Sequence, residues 1–511
     1  DDPLDWDDWP PTYTPMYAMY HGAYGHTLET PYEDERGVDA HYWAAWGALK
    51  FVVQNKAEMI YDQIEIFRRG FLDLPQVPIP DDLLDETKFD QYTDLMIAEF
   101  PTAYILPPDL PFQHSDHQVA RLVDFLLFND TQVEQAVEEF EYNGVIYPVG
   151  TYLVWMNQPK RGLANTILED GQDLSFVEGL SFYSPPSVWS HPHLWGVHVV
   201  IVDDELVVQT EAIQAATAPQ GTLSGETGQM YAFQPTSLAA YQAVNALLAR
   251  DQAVYRLDEA YVEGNLSLLA GTFLISGDPV LANELAGSWA LDLVTLQNIP
   301  AAITQLHLQT IAMSGDSGVM VALERLGFEV TPVSSYDLNQ GVLQGFDIFI
   351  NATTSWSYLN KQGRQAFQNW FSAGGDYLGL GSAGANLAVQ SGIIAASYNL
   401  ADANAIVRVD YNPGDLLAAG FTEQDSAFVY YPVWFSDLEQ NVVVAGRYAP
   451  GDFLVSGFWP AWHDSGAAGS PSIIYTEAGE SLVALIGMDI TFRGHPENTF
   501  RLLGSAIFAG Q

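Results

Sequence analysis

Four side chains of this 511-residue chain have the types and surroundings that acid–base or nucleophilic chemistry requires. Glu29 lies near the end of residues 20–31, a segment rich in aromatic residues and glycine. The alternation around Glu29 predicts a strand, and a carboxylate in an apolar place is costly unless it has a partner or a chemical task. Ser382 lies among small residues, and with His495 and Glu497 it could form a nucleophile, base and acid set.

The segment from Gly22 to Glu29 resembles the one that carries the catalytic glutamate of zinc carboxypeptidases of the carboxypeptidase A type. The resemblance implies that Glu29 is a general base beside a zinc-bound water, because the metal lowers the pKa of that water. The zinc ligands of that family, a His-x-x-Glu and a later His, precede the glutamate, whereas residues 1–19 contain no His. We therefore expect zinc in a larger parent protein, of which this chain is the C-terminal portion. The alternative is a core strand in which Glu29 is simply paired.

A second resemblance starts at residues 377–385, where an apolar strand runs into small residues before a helix. This is the steric requirement of a nucleophile elbow, whose turn leaves no room for bulky neighbours. The segment resembles the elbow of class I glutamine amidotransferase-like domains, which carry Cys where this chain has Ser382. His495 and Glu497 match the His-Pro-Glu that completes the triad of that family. The change from Cys to Ser argues against glutamine hydrolysis, so a Ser-His-Glu set and mere packing of small residues are both open.

The charge of the chain argues against several classes of partner. Lys and Arg number 18 against 64 Asp and Glu, which gives a net charge of −46. Such a surface repels nucleic acid and anionic membranes, and it suits a secreted protein in an extracellular, saline or cation-rich setting. The absence of Cys excludes disulfides and thiolate chemistry. No apolar run is long enough for membrane insertion.

The first eleven residues are acidic, aromatic and rich in proline, which predicts an extended arm. The aspartates of residues 1–11 are candidate calcium ligands, with a solvated acidic arm as the alternative. Trp6 and Trp9 are costly to leave in water, so we expect the arm to dock on a neighbouring element or on another copy of the chain.

An internal repeat organises the middle of the chain. A series of positions in residues 117–156 recurs in residues 238–277 at a constant distance of 121 residues, as from Gly150 to Gly271. Each copy predicts a helix, a strand, a polar turn and a strand, so one supersecondary unit is used twice. Two His pairs in the loops, His114 with His117 and His191 with His193, are candidate metal ligands, with polar surface as the alternative.

The predicted fold class is α/β throughout. Residues 1–72 form the C-terminal remnant of a carboxypeptidase-like domain that ends in a long helix after Glu35, and residues 73–95 form a linker. Residues 96–300 form the repeated α/β region. In residues 301–511 strands alternate with helices, which predicts a doubly wound parallel sheet in an amidotransferase-like domain.

Two functions follow from these predictions. In the first, the parent is an extracellular zinc metallocarboxypeptidase that removes C-terminal residues from a peptide substrate, and this chain alone binds no catalytic zinc and is inactive. In the second, the chain is a non-catalytic extracellular structural or assembly protein derived from such a peptidase. Its partners would be further copies of itself or the N-terminal half of the parent.

Overall fold

The computed structural model describes residues 14–25, 28–75, 99–109, 111–175, 190–225, 227–459 and 466–511. The predicted acidic arm with its candidate calcium ligands lies outside this part of the chain, and so does most of the predicted linker.

Two helices open the described chain, α1 (Thr14–Tyr20) and α2 (Glu35–Phe71). The second matches the long helix predicted from the sequence. It begins after Asp34, whose carboxylate accepts a hydrogen bond from the backbone N–H of Arg36 at 2.9 Å. Two arginines in its last turn lie at the negative end of the helix dipole. At 1.5 Å per residue, α2 is about 55 Å long.

The prediction of a strand around Glu29 is wrong. Neither residues 21–25 nor residues 28–31 contain a strand. A strand needs the N–H and C=O groups of a neighbouring strand, and this segment lies along α2 instead. The hydroxyl of Tyr24, for example, donates to the carbonyl oxygen of Met59 in that helix at 3.1 Å. Side-chain alternation therefore predicted a strand for a segment whose described residues join no ladder.

The first repeat unit is a five-stranded antiparallel sheet in the order β6-β1-β5-β2-β7. Its strands are β1 (Ala103–Leu106), β2 (Glu134–Ala136), β3 (Phe140–Tyr142), β4 (Val145–Tyr147), β5 (Tyr152–Trp155), β6 (Val200–Val202) and β7 (Thr210–Ala212). Its helices are α3 (Asp116–Phe128), α4 (Arg161–Leu168) and α5 (His191–Trp195). The strands β3 and β4 form a separate hairpin in the place where the sequence predicted a turn.

The second repeat unit has the same plan, with a sheet in the order β15-β10-β13-β9-β14-β8. Its strands are β8 (Leu223–Ser224), β9 (Met230–Phe233), β10 (Val254–Leu257), β11 (Tyr261–Glu263), β12 (Leu266–Leu268), β13 (Phe273–Ser276), β14 (Leu293–Leu296) and β15 (Ile303–Gln305). Its helices are α6 (Leu238–Leu248) and α7 (Pro279–Ser288). The sheet extends to β15, beyond the boundary predicted at residue 300.

The backbone repeats in detail between the two units. Asp130 and Asp251, 121 residues apart, both adopt the left-handed conformation, with φ of 61° and 55°. Gly150 and Gly271 do the same before β5 and β13, with φ of 91° and 84°. Because few residues tolerate this conformation, equal turns at equal positions indicate the same chain path in both units.

The parallel-sheet unit forms the rest of the described chain. Its first strands are β16 (Ile311–Ser314), β17 (Val330–Pro332), β18 (Ile348–Asn351) and β19 (Asp376–Leu380), followed by β20 (Ser397–Leu400), β21 (Asn404–Tyr411), β22 (Gln424–Tyr430), β23 (Val433–Ser436), β24 (Val443–Tyr448), β25 (Leu454–Phe458), β26 (Pro471–Ala478) and β27 (Ser481–Ile486). Its helices are α8 (Ser317–Arg325), α9 (Ser335–Asn339), α10 (Lys361–Ser372), α11 (Gly381–Ser391) and α12 (Phe500–Ala509).

The strands β17, β16, β18, β19 and β27 pair in that order, and all four pairings are parallel. Antiparallel strands continue the sheet beyond β27. The predicted α/β fold with a doubly wound parallel sheet is confirmed. In this unit's own chain order, the parallel strands run 2-1-3-4-5.

Candidate functional site

The strand order defines where this sheet can hold a ligand. The chain passes from β16 through α8 to β17 on one side, and from β17 it then passes β16 to reach β18 on the other side, so the direction of strand addition reverses at β16. In doubly wound sheets the crevice at such a switch point, outside the carboxyl ends of the strands, is the usual ligand site. A cavity of about 280 Å³ lies there.

The cavity is lined by residues that follow four parallel strands. Asp316 follows β16, Thr353 follows β18, Ser382 follows β19 and Asp489 follows β27. The predicted candidate Ser382 is exposed to this cavity in the first turn of α11. The sheet topology therefore gathers two carboxylates and two hydroxyl groups at one edge.

The turn from β19 to α11 has the tight geometry that the small residues predicted. A Cβ atom added to Gly384 would lie 2.5 Å from the carbonyl carbon of Gly379, so strand and helix touch through their backbones. The left-handed residue of the turn is Gly381, with φ of 55°. In a nucleophile elbow the reactive residue itself occupies the strained position, and here that position is one residue before Ser382. Glycine has no side chain to supply a nucleophile.

Asp489 is the strongest acid–base candidate of the cavity, and sequence reasoning missed it. Burial raises the pKa of its carboxyl to about 7, and the nearby charge of Asp316 adds to the rise. A hydrogen bond from the backbone N–H of Tyr430, at 2.5 Å, acts in the opposite direction. A group with a pKa near neutrality can both take and give a proton in ordinary conditions. The signal in the sequence was an acid that closely follows a fully buried strand, β27.

A strained tyrosine forms part of the cavity wall. Tyr431 lines the cavity with a φ of 57°, in the left-handed region that is rare for a bulky residue. Its ring lies 4.7 Å from the ring of Tyr430, at an edge-on angle of 72°. Such strain concentrates at ligand sites, where the surrounding structure holds a residue in place.

His495 lies on the side of this unit that faces the first repeat unit. Its ring centroid is 4.6 Å from that of His191 and 6.3 Å from that of Trp195. The indole N–H of Trp195 donates to the carbonyl oxygen of His495 at 3.0 Å. Two aromatic residues of α5 thus hold the loop that contains His495.

Glu497 has a well-defined electrostatic role. Its carboxylate is only 2% exposed and accepts hydrogen bonds from Nε and one terminal nitrogen of Arg121, at 2.7 and 2.6 Å. A terminal nitrogen of Arg325 donates to the same carboxylate. A buried carboxylate is stable only when it is paired, and two guanidinium groups pair this one. The described lining of the Ser382 cavity includes neither His495 nor Glu497, and the Ser-His-Glu set stays a prediction.

Glu29 is exposed to solvent between the two N-terminal helices. Within the described residues, no group of three or more His, Cys, Asp or Glu side chains is arranged to hold a metal ion. The described part of the chain therefore does not fit a catalytic zinc, which needs three converging ligands.

The His pairs considered as metal ligands have other contacts. The imidazole Nε2 of His117 donates to the carbonyl oxygen of Ala290 at 3.1 Å. His193 bonds to the side chains of Ser426 and Asp170, at 3.0 and 3.1 Å.

No family model matches this chain, and no curated protein matches it. Solved structures similar to it include two glutamine amidotransferases. For one, identity is 14%, coverage is 39% of this chain and 98% of that chain, and the TM-score is 0.26. The other, from Thermotoga maritima, is 10% identical over 40% of this chain and 98% of that chain, with a TM-score of 0.28. An exo-β-1,4-mannosidase from an Opitutaceae bacterium matches at 12% identity over 39% of this chain and 36% of that chain, with a TM-score of 0.26.

Proposed function

We propose that this chain is the C-terminal portion of an extracellular zinc metallocarboxypeptidase-like protein. The parent would remove C-terminal residues from peptides. Residues 14–71 would pack against its zinc-bearing half, and the remainder would be accessory. On its own the chain would bind no catalytic zinc and would be inactive.

The surface of α2 is the observation that carries this proposal. Large apolar side chains cover the helix on several sides, and many are more than half exposed: Val38, Tyr42, Trp43, Trp46, Leu49, Phe51, Val53, Tyr61, Ile64, Ile66 and Phe71. The buried residues of α2 are Gly37 and Gly70. An exposed apolar surface of this size marks a contact site.

A membrane is the other setting in which such a helix could be covered. Of the helices described, none combines the length and the apolar character that crossing a bilayer demands. A protein partner therefore explains the surface of α2 better than a spanning role does. The resemblance at residues 22–29, next to this helix, supports a peptidase half as that partner.

Glu29 is the contribution of this chain to the proposed activity. Its carboxylate is exposed beside the uncovered helix and could reach a water molecule held by the other half. The parallel-sheet unit would not hydrolyse glutamine, because glycine and serine occupy the turn where amidotransferases carry their cysteine.

The test combines sequence and biochemistry. The coding region upstream of this chain should contain a His-x-x-Glu and a later His. The purified chain should contain no stoichiometric zinc and should not hydrolyse a blocked dipeptide. The longer product should contain stoichiometric zinc and should hydrolyse the dipeptide. In the longer product, Glu29→Gln should abolish hydrolysis while the matched change Glu33→Gln, on a neighbouring exposed acid, should not. Stoichiometric zinc in the purified chain, with hydrolysis abolished by Glu29→Gln, would overturn the proposal.

The second candidate is a non-catalytic assembly protein, and the surface of α2 supports it too. In that case α2 would be covered by α2 of another copy. Light scattering coupled to size exclusion separates the candidates, because only the second predicts a stable oligomer of this chain alone.

A further inference from the structure

A second and larger cavity lies between the two repeat units, far along the chain from α2. Its volume is about 600 Å³, a size typical of small-molecule sites. Equivalent residues of both units line it, 121 positions apart: Gln113 with Gln234, Ser115 with Thr236, and Asp116 with Ser237. The starts of α3 and α6 therefore both face the cavity.

The two sides of this cleft are not chemically equal. The first unit has Asp116 where the second has Ser237, and Asp292 reaches the same region from the loop before β14. Asp116 and Asp292 are close enough for each charge to affect the other, and burial together with Asp292 raises the pKa of Asp116. Asp109 adds a third carboxylate to the lining. The described lining contains neither Lys nor Arg, and His117 is the basic side chain that acts on Asp116, where it opposes part of the rise in the pKa.

One hydroxyl group at this end of the cleft has no hydrogen bond among the described residues. The side chain of Ser115 is at the cap position of α3 but makes no capping bond, and its Oγ has no partner. Ser115 is 8% exposed and lines the cavity beside Asp116. A buried hydroxyl is normally paired, so an unpaired one in a cavity indicates a missing ligand or water.

We propose that the cleft between the repeat units binds a small primary amine, whose ammonium group is held by Asp116, Asp292 and Ser115 Oγ. An ammonium group has three N–H donors, and these residues offer it two carboxylates and a hydroxyl oxygen. Its positive charge relieves the repulsion between the two carboxylates. The remaining volume, with Tyr152, Phe233 and several hydroxyl and amide groups, accommodates the chain of the amine.

A metal ion is the competing occupant, because His114 and His117 also line the cleft. The described side chains there do not form a group of three metal ligands, and His117 is bonded to the carbonyl oxygen of Ala290. An amine needs hydrogen-bond acceptors but no fixed coordination geometry. The lining of the cleft therefore agrees better with an amine than with a metal ion.

The experiment measures binding of 1,4-diaminobutane to the full chain by calorimetry at physiological ionic strength. The control ligand is its fully N-methylated analogue, which keeps both charges but has no N–H donor. We expect the diamine to bind and the analogue to bind at least tenfold more weakly, because a hydrogen bond to a charged group contributes about 1.5–3 kcal/mol. Equal binding of the two would overturn the proposal, because a chain with a net charge of −46 attracts any cation.

Variants identify the site. Ser115→Ala should weaken diamine binding about tenfold without lowering the melting temperature, because its hydroxyl makes no bond within the described protein. Asp116→Asn should weaken it further, and Asp204→Asn, at an exposed acid outside the cleft, should not. Unchanged binding in both Ser115→Ala and Asp116→Asn, or no binding to the unsubstituted chain, would overturn the proposal. The site is separate from α2 and from the Ser382 cavity, so its failure would not affect the proposed function.

Discussion

Glu497 and Arg121 form a bidentate ion pair across the boundary between the parallel-sheet unit and the first repeat unit, with N–O distances of 2.7 and 2.6 Å. The same guanidinium lies 4.7 Å from the ring centroid of Trp195. One arginine thus binds both the buried carboxylate and the aromatic residue that holds the backbone of His495. The match to a catalytic His-Pro-Glu coincides with a contact between two units.

The first prediction concerns this contact. Arg121→Ala should lower the free energy of unfolding by about 2 kcal/mol, because the buried carboxylate loses two charge-assisted hydrogen bonds while Arg325 remains. The matched control is Arg250→Ala, which breaks the exposed pair with Glu284 and should change stability by less than about 1 kcal/mol. Urea unfolding followed by tryptophan fluorescence measures both. Equal effects of the two variants would contradict a structural role for Glu497.

The second prediction is a pH dependence caused by Asp489. In the folded protein the pKa of its carboxyl is raised to about 7, whereas the ordinary pKa of this group is 3.8. The folded state therefore binds more protons between these values, so this group makes stability fall as pH rises from about 4 to about 7. Asp489→Asn should remove that loss, and its amide oxygen can still accept the N–H of Tyr430.

The measurement is the difference in melting temperature between pH 5 and pH 8. This difference should be smaller in Asp489→Asn than in the unsubstituted chain, whereas the exposed control Asp204→Asn should leave it unchanged. A variant as sensitive to pH as the unsubstituted chain would show that Asp489 does not titrate in this window.

The third prediction compares two glycines of the β19–α11 turn. Gly384→Ala should cost about 3 kcal/mol, because the new Cβ would overlap the backbone of Gly379. Gly381→Ala should cost about 1 kcal/mol, because open space surrounds its Cβ position and only the left-handed backbone opposes the change. Thermal unfolding ranks the two, and the reverse order would mean that strand and helix do not touch there.

The fourth prediction concerns the exposed face of α2. The double change Trp43→Glu and Trp46→Glu should reduce binding of a hydrophobic dye, because both side chains are more than half exposed, and it should also reduce self-association if copies of the chain pair through α2. The melting temperature should hardly change. Tyr336→Glu, on an equally exposed side chain of the parallel-sheet unit, is the control and should leave association unchanged. Loss of folding in the double variant would mean that α2 is covered within this chain.

Local patterns in the sequence predicted those elements whose causes are local. The helix that begins at Glu35 was evident from its apolar positions and its charged ends, and the parallel sheet from the alternation of strands and helices. The 121-residue period predicted one unit used twice, and the structure has matching strands and left-handed turns in both copies. In each case the residues that determine the element lie close together or recur.

The remaining features depend on residues far apart in the chain, and no local pattern reveals them. The segment around Glu29 alternates like a strand, but whether it becomes one depends on a neighbouring strand to pair with. Asp489 gained its near-neutral pKa when folding buried its carboxyl and brought it near Asp316, and burial is the larger of these two causes. The ion-pair partner of Glu497, Arg121, is 376 residues away, so no local pattern indicates this contact.

The separation of Arg121 and Glu497 in the chain also determines when their contact can form during synthesis. At about 5–20 residues per second, the ribosome needs roughly 20 to 75 seconds to proceed from Arg121 to Glu497. The strand β27, which lies between β19 and β26, is made only shortly before Glu497. Arg121 and Trp195 of the first repeat unit must therefore wait for their contacts with Glu497 and His495 until that segment has been made. A ribosome that stalls before β27 would release a chain whose sheet lacks an inner strand.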